Sequence, residues 1–378
     1  MTRARTGAHG GKSLPYSAAT TGSYDTLDEN IPGKGQNPMT ACRIIPPYIL
    51  RAIATHGDRR RQAAAWSTLT DSEQFRGERR ILAALAPVAS TGTGMKRRTI
   101  YDARHRYTLP GRLVRGEKDP KSKDTAVNEA YDGSGATYDF FYRVFGRHSI
   151  DDRGFRLDST VHYGVDYDNA FWNGRQMVYG DGDGEIFRPF TVALDVIGHE
   201  LTHGLTQYEA NLSYRDQSGA LNESFSDVFG SLVKQYKRKQ TAEDADWLVG
   251  EGLFMPQIKA KGIRSMKDPG TAYDDPLLGK DPQPGHMSGY VRTAEDNGGV
   301  HINSGIPNRA FYELAIRLGG FAWEKAGRIW YRALCDKLRE SSTFADAMNM
   351  TVRAAGEVYG INSPEQKATR ESWAEVGI

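Results

Sequence analysis

The chain has 378 residues, enough for two or three domains with a sizeable core, so size does not restrict it to a small binding module. Hydrophobic residues make up 39% and charged residues 25% with no long apolar run, the balance of a soluble protein without stable membrane insertion. Its 49 basic and 47 acidic residues leave a formal charge of +2, which gives no global field for nucleic acid, and the basic run at 234–239 reads as a solvated helix face.

Residues 1–41, rich in Gly, Ser, Thr and Pro, read as a disordered tail. Its basic start is followed by no apolar core, so it does not read as a secretory signal, and the expected location is cytoplasmic or outside by a non-standard route. From Cys42, CRIIPPYILRAIA joins an apolar run and a Pro-Pro pair to the start of a helix, and SEQFRGERRILAALA at 72–86 reads as another. TGTGMKRR at 91–98 then reads as an exposed, cleavable linker, which sets residues 42–96 apart as a leading segment. Two cysteines make no disulfide framework; Cys42 reads as an exposed thiol and Cys335 as a buried one.

Further along, TIYDARHRYTLPGRLVRGE and HYGVDYDNAFWNGRQMVYGDGDG carry aromatic and β-branched residues broken by Gly, Asn and Asp, the pattern of strands and tight turns. FRPFTVALDVIGHELTHGLTQYEA has the apolar spacing of a long helix, and the segments around 220–239, 307–320, 322–338 and 343–360 read as amphipathic helices. The predicted fold is α+β: a strand-rich lobe over 97–207 that includes the HELTH helix, then a helical lobe over 208–378.

HELTH at 199–203 is the strongest chemical signal. Four residues of separation put His199 and His203 one turn apart on one helical face, so both imidazoles reach the same ion, while Glu200 can meet a water bound to it. A bare HExxH also arises by chance. ALNESFSD at 220–227 adds to it: Glu223 supplies a third ligand, and Asp227, one turn later, accepts the remaining ring proton of a ligand histidine. His301, in the turn-rich DNGGVHINSGIPN, is placed to hydrogen-bond a developing oxyanion, with Asp296 orienting its ring. The other histidines have no comparable partner pattern.

HELTH, NESFSD, the NAFWNG and MVYGDGDG segments and DNGGVHINSGIPN together resemble the thermolysin family of neutral zinc metalloendopeptidases over roughly 98–378, and IIPPYIL at 44–50 resembles the short propeptide of its protealysin-like subgroup. The resemblance implies a two-lobed zincin that binds one catalytic zinc ion through His199, His203 and Glu223 and cuts peptide or protein substrates with Glu200 as base. By the same resemblance, Tyr214 and His301 stabilise the oxyanion, with Asp296 behind His301 and Asp227 behind His199. Asn169 and the backbone of Ala170 align an extended peptide, and Arg264 binds a carbonyl on the primed side. Phe187, Phe190, Val196, Val249, Leu253 and Ile263 form the apolar wall for the residue after the cut, which Phe190 narrows.

The family's paired calcium site is expected to be absent. Asp195, Asp246 and Glu251 are kept, but Lys234 and Leu248 stand where acids are needed, and Lys234 is expected to neutralise Asp195 or Glu251. GDGDGE at 180–185 reads as a turn. The leading segment, as a propeptide in cis, is expected to cover the cleft until a cut near 93–98; Cys42 there either packs as a small apolar residue or lends a thiolate to the zinc. A separate protein inhibitor is a candidate partner. The rival functions are a zinc aminopeptidase and an inactive peptide-binding protein of the same fold.

Overall fold

The computed structural model describes residues 43–83 and 95–378, with side chains for 43–71 and 95–378. The expectations for the 1–41 tail, for Cys42 and for the stretch 84–94 lie outside the described residues.

The leading segment folds as two helices. Pro46 is extended and Pro47 opens α1 (Pro47–His56) at the position where a missing N–H costs nothing, and Ile49, Leu50 and Ile53 turn inward. Helix α2 (Arg59–Ala83) starts well before residue 72, because Asp58 Oδ1 accepts from the amides of Arg60 and Arg61 and so caps its first turn, just ahead of three alanines at 63–65.

The strand-rich lobe holds a five-stranded mixed sheet of β1 (Arg98–Asp102), β2 (Arg112–Arg115), β3 (Leu157–Val161), β4 (Ala170–Trp172) and β5 (Met177–Tyr179), in the order β2-β1-β3-β5-β4. Strand β1 runs parallel to β3 and β3 parallel to β5, while the outer pairs are antiparallel. Strand β4 is an edge of the sheet, the side on which a further strand can add. Arg98 belongs to β1, and Glu117 accepts from its amide, Nε and Nη2, so the expected linker ends before it, although Met95 is exposed.

This lobe also contains α3 (Thr125–Phe145), a long helix that the strand-like reading overlooked. Asp124 caps it by accepting from Ala126 N and Val127 N, and Gly146 closes it in the left-handed region at φ 72°. Its internal Gly133 is a packing device: a Cβ there would strike Ile197.

The GDGDGE run does form a turn, with Asp183 Oδ1 accepting from the amides of Glu185, Ile186 and Phe187. Next, α4 (Leu194–Tyr208) carries HELTH and α5 (Asp216–Arg238) carries NESFSD. The helical lobe adds α6 (Asp296–Asn303), α7 (Gly305–Leu318), α8 (Ala326–Asp336), α9 (Phe344–Tyr359) and α10 (Pro364–Glu375), the last not anticipated. Two short hairpins stand between, β6 (Leu248–Val249) with β7 (Arg264–Ser265) and β8 (Asp274–Asp275) with β9 (Gly279–Lys280).

Two expectations need correction. Lys234 is buried rather than solvated, since its ammonium meets Asp195 Oδ2 at 2.9 Å, Asp246 Oδ1 at 2.8 Å and Leu248 O at 2.7 Å; only the far end of the run is exposed. Cys335 is half-buried, not fully buried, and burial pushes its thiol up to about 12. Among the described residues no helix is long and apolar enough to cross a membrane.

His162 ties α3 to the Asp-Gly turn, with Nε2 at 2.7 Å from the capping Asp124 and Nδ1 at 2.9 Å from Asp181. Asp181 raises its pKa to about 9 against partial burial, and Asp124 adds to the effect. Since the folded value lies above the ordinary 6.5, this stabilisation is complete below that pH and fades as pH rises through about 9. Denaturant titrations across that interval should show stability falling, and His162→Gln should flatten that part of the profile.

Candidate metal centre

The site rests on how closely α4 and α5 cross. Gly198 faces Gly230, where a Cβ on the former would lie 3.0 Å from the latter's Cα, so the backbones meet without side chains between them. That approach delivers Glu223 of α5 to the two histidines of α4: its carboxylate lies 3.4 Å from His199 Nε2 and 3.4 Å from His203 Nε2. The two Nε2 atoms are 2.9 Å apart. Two donors about 2.0 Å from one tetrahedral ion sit roughly 3.3 Å apart, so the pair fits a single small divalent cation.

Each imidazole is turned by a partner behind it. His199 Nδ1 donates to Asp227 Oδ1 at 2.8 Å, and His203 Nδ1 to Asn222 Oδ1 at 2.8 Å with Ser226 Oγ at 3.0 Å, which leaves both Nε2 lone pairs facing inward. Asn222 and Ser226 were missed in the sequence, although both fall inside the NESFSD segment that supplies Glu223 and Asp227. Burial drives His203 down to about 3. At Asp227 burial opposes ionisation, but Arg264 and His199 outweigh it and hold the carboxyl at about 2.

Two buried acids compete for the third place beside the imidazoles, since Glu200 also brings a carboxylate oxygen near both. They differ in engagement. Glu200 Oε2 accepts from the backbone amide of Trp172 in β4 at 2.8 Å, whereas Glu223 lies against both Nε2 atoms and accepts from the Tyr214 hydroxyl. The donor set of two imidazoles and a carboxylate suits zinc.

Across the cleft, the expected loop around His301 is a left-handed run, Asp296 to Gly299 at φ 50°, 52°, 89° and 75°, followed by one helical turn. It curls Asp296 back onto His301, Oδ1 at 2.7 Å from Nδ1 and Oδ2 accepting the backbone amide at 2.9 Å. His301 Nε2 stands 3.1 Å from the Tyr214 hydroxyl. Burial opposes charge on His301, but Asp296 and Glu223 outweigh it and raise its pKa.

The residues expected to hold a peptide already hold one, the start of the leading segment. Asn169 Oδ1 accepts from Ile45 N at 3.0 Å and its Nδ2 donates to Ile45 O at 3.2 Å; Ala170 O accepts from Ile44 N at 3.3 Å; Arg264 Nη1 donates to Ile44 O at 3.1 Å. Phe187, Phe190, Val196, Val249, Leu253 and Ile263 are all buried, in one apolar cluster with Ile44 and Ile45.

Comparison with known proteins gives concordant results. Residues 89–207 match the family model described as thermolysin metallopeptidase, catalytic domain, and 210–378 match thermolysin metallopeptidase, alpha-helical domain. The chain is 53% identical over 338 residues to an extracellular metalloprotease of Pectobacterium carotovorum subsp. carotovorum, covering 89% of this chain and 96% of that one. It is 50% identical over 342 residues to Protease PrtS of a Photorhabdus strain, covering 89% and 91%. Among solved structures, the precursor of protealysin from Serratia proteamaculans superposes with a TM-score of 0.82 at 53% identity, over 89% of this chain and all of that one.

If the helix crossing sets the site, a methyl at its tightest point should disturb it. A Cβ on Gly230 would meet the Asp195 carbonyl and lie 2.9 Å from His199 N. Gly230→Ala is therefore expected to cost about 1–3 kcal/mol in chemical denaturation and to weaken zinc retention measured by competition with a chelator.

Proposed function

The chain belongs to the thermolysin family of metallopeptidases, and on that premise we propose that it is a protealysin-like zinc endopeptidase, made as a precursor, with His199, His203 and Glu223 as zinc ligands and Glu200 as general base. The observation that carries this reading is the buried convergence of two inward-facing imidazoles and two carboxylates at a cleft already occupied by an extended peptide. When bound, zinc lowers the pKa of its water and polarises the scissile carbonyl.

The protein's own groups do the rest. Glu200, held by Trp172 N, takes a proton from the attacking water and later gives it to the departing amine. Tyr214 and His301 donate to the carbonyl oxygen as negative charge grows there, and Asp296 keeps the His301 ring aimed. Asn169, the Ala170 carbonyl and Arg264 hold the peptide backbone in line with that attack, and Asp227 fixes His199 and Arg264 together. The wall formed by Phe187, Phe190, Val196, Val249, Leu253 and Ile263 favours an apolar residue after the cut, and Phe190 limits its size. Release of the leading segment follows a cut in the linker before Arg98, the start of β1.

The reading includes no paired calcium site. Lys234 neutralises Asp195 and Asp246, and Arg238 rather than Lys234 meets Glu251, at 2.8 Å, so chain cations sit among the carboxylates that calcium would need.

Glu200→Gln is expected to retain one zinc ion by elemental analysis and lose about 10²–10⁴-fold in turnover, whereas His199→Ala should lose the metal too. With the trimmed enzyme, mass spectrometry of an N-acetylated peptide library should find internal cuts before apolar residues; cuts confined to free N-termini would instead mean an aminopeptidase. Calcium should leave the melting temperature unchanged. Lys234→Glu should be destabilised by about 3–5 kcal/mol and regain stability with added calcium, while two stabilising calcium sites in the unaltered protein would sink this part of the reading.

A further inference from the structure

The leading segment is laid along the cleft in one register, and that register singles out one peptide bond. Residues 43–45 form an added strand on the free edge of β4, with an antiparallel bridge between Arg43 and Phe171. From the Arg43 carbonyl to the Ile45 carbonyl every backbone polar group is bound: Arg43 O lies 3.0 Å from His301 Nε2, Ile44 N donates to Ala170 O, Ile44 O accepts from Arg264, and both groups of Ile45 meet the Asn169 side chain. Beyond Ile45 the chain passes through Pro46 into α1, so the extended stretch ends there.

Two roles argued separately above agree on where the cut would fall. His301 is the donor to the carbonyl under attack, and it holds the carbonyl of Arg43. Arg264 binds the carbonyl of the first residue after the cut, and it holds that of Ile44, whose side chain is fully buried in the apolar cluster. The side chain before the cut is also accommodated. Arg43 is only 5% exposed, its guanidinium lies 5.5 Å from the Phe171 ring centroid, and its Nε and Nη2 have no hydrogen-bond partner among the described residues. An aromatic face is what holds that cation.

We propose that the leader is docked in a productive register and that the enzyme hydrolyses its own Arg43–Ile44 bond in cis. This rests on the endopeptidase reading. Water adds to the Arg43 carbonyl carbon while Glu200 takes its proton; the bond from that carbon to the Ile44 nitrogen breaks, and the proton passes from Glu200 to that nitrogen. The products are a carboxylate on Arg43 and a free amine on Ile44. Since α1 and α2 stay attached to the catalytic lobes through the following chain, the cut removes only residues 1–43 and leaves Ile44 and Ile45 seated as a bound product. The substrate class this assigns is an extended segment with a basic residue before the cut and branched aliphatic residues at the two positions after it.

The test uses the zinc-loaded full-length chain, followed by intact mass and N-terminal sequencing. A chain beginning at Ile44 is expected, formed at a rate independent of protein concentration and absent in Glu200→Gln, with Arg43→Ala slowing it about two- to fivefold through loss of the contact with Phe171. In the Glu200→Gln protein, slow hydrogen exchange at the Ile44 and Ile45 amides is expected whatever the activity, and fast exchange would overturn the docking. If the bond stays intact while a trypsin-trimmed aliquot cuts an unrelated acetylated peptide, self-cleavage is wrong and the endopeptidase reading stands. If the trimmed aliquot cuts nothing, the endopeptidase reading itself fails, and self-cleavage with it.

Discussion

One buried carboxylate holds the centre of this molecule together. Asp227 of α5 has no exposed surface, yet it accepts from His199 Nδ1, from Arg264 Nε and Nη2, and from Asn308 Nδ2, each at 2.8 Å. A charge in that position is tolerated only because all four donors converge on it. They come from α4, β7 and α7, so a single anion pins three elements to α5 and fixes two groups at once: the His199 imidazole and the Arg264 guanidinium that reaches Ile44 O. Against its burial, the pKa of Asp227 is held down by Arg264 and His199, which expresses the same balance.

The peptide frame depends in turn on β4. Edge strands attract other chains, and a peptidase turns this liability into recognition because its cleft must read backbone before side chain. Here the edge is closed by the chain's own residues 43–45, and the apolar face of α1 follows them into the main core. Under the proposed function, leader and substrate would share one grammar of hydrogen bonds, the leader presenting its backbone to β4 as a substrate would.

Much of this was legible in the sequence because it is local. The four-residue step from His199 to His203 and the segment from Asn222 to Asp227 encode helical faces directly, and the helices carrying them appear nearly where the apolar period puts them. What escaped was set by tertiary context. Helix α3 was hidden by Gly133, Gly135 and a cluster of aromatic residues, each locally unhelical; the glycines are there because Ile197 and Arg98 pack against them. The resemblance pointed Lys234 at Asp195, which it does meet, but the local basic run read as solvated and its second acid, Asp246, was not expected, since local charge does not show burial. The clamp on residues 43–45 joins groups separated by more than a hundred positions along the chain, and no local pattern announces such a pairing.

Beside the buried aliphatic residues of 44–53, part of the leader's grip on the catalytic lobes is polar and close to solvent: Arg60 and Arg61 pair with Glu185 at 2.8 and 2.9 Å, and Arg51 with Glu295 at 2.7 Å. Ion pairs of that kind hold little by themselves. Carried on the same chain, however, the leader is presented at an effective concentration on the order of millimolar, at which weak contacts suffice. Severing the connection converts the same contacts into an equilibrium between two molecules, and that equilibrium responds to volume. Under the proposed function, activation would then have two parts, a chemical one that breaks a bond and a physical one in which the freed leader departs, and only the second would depend on how dilute the protein is.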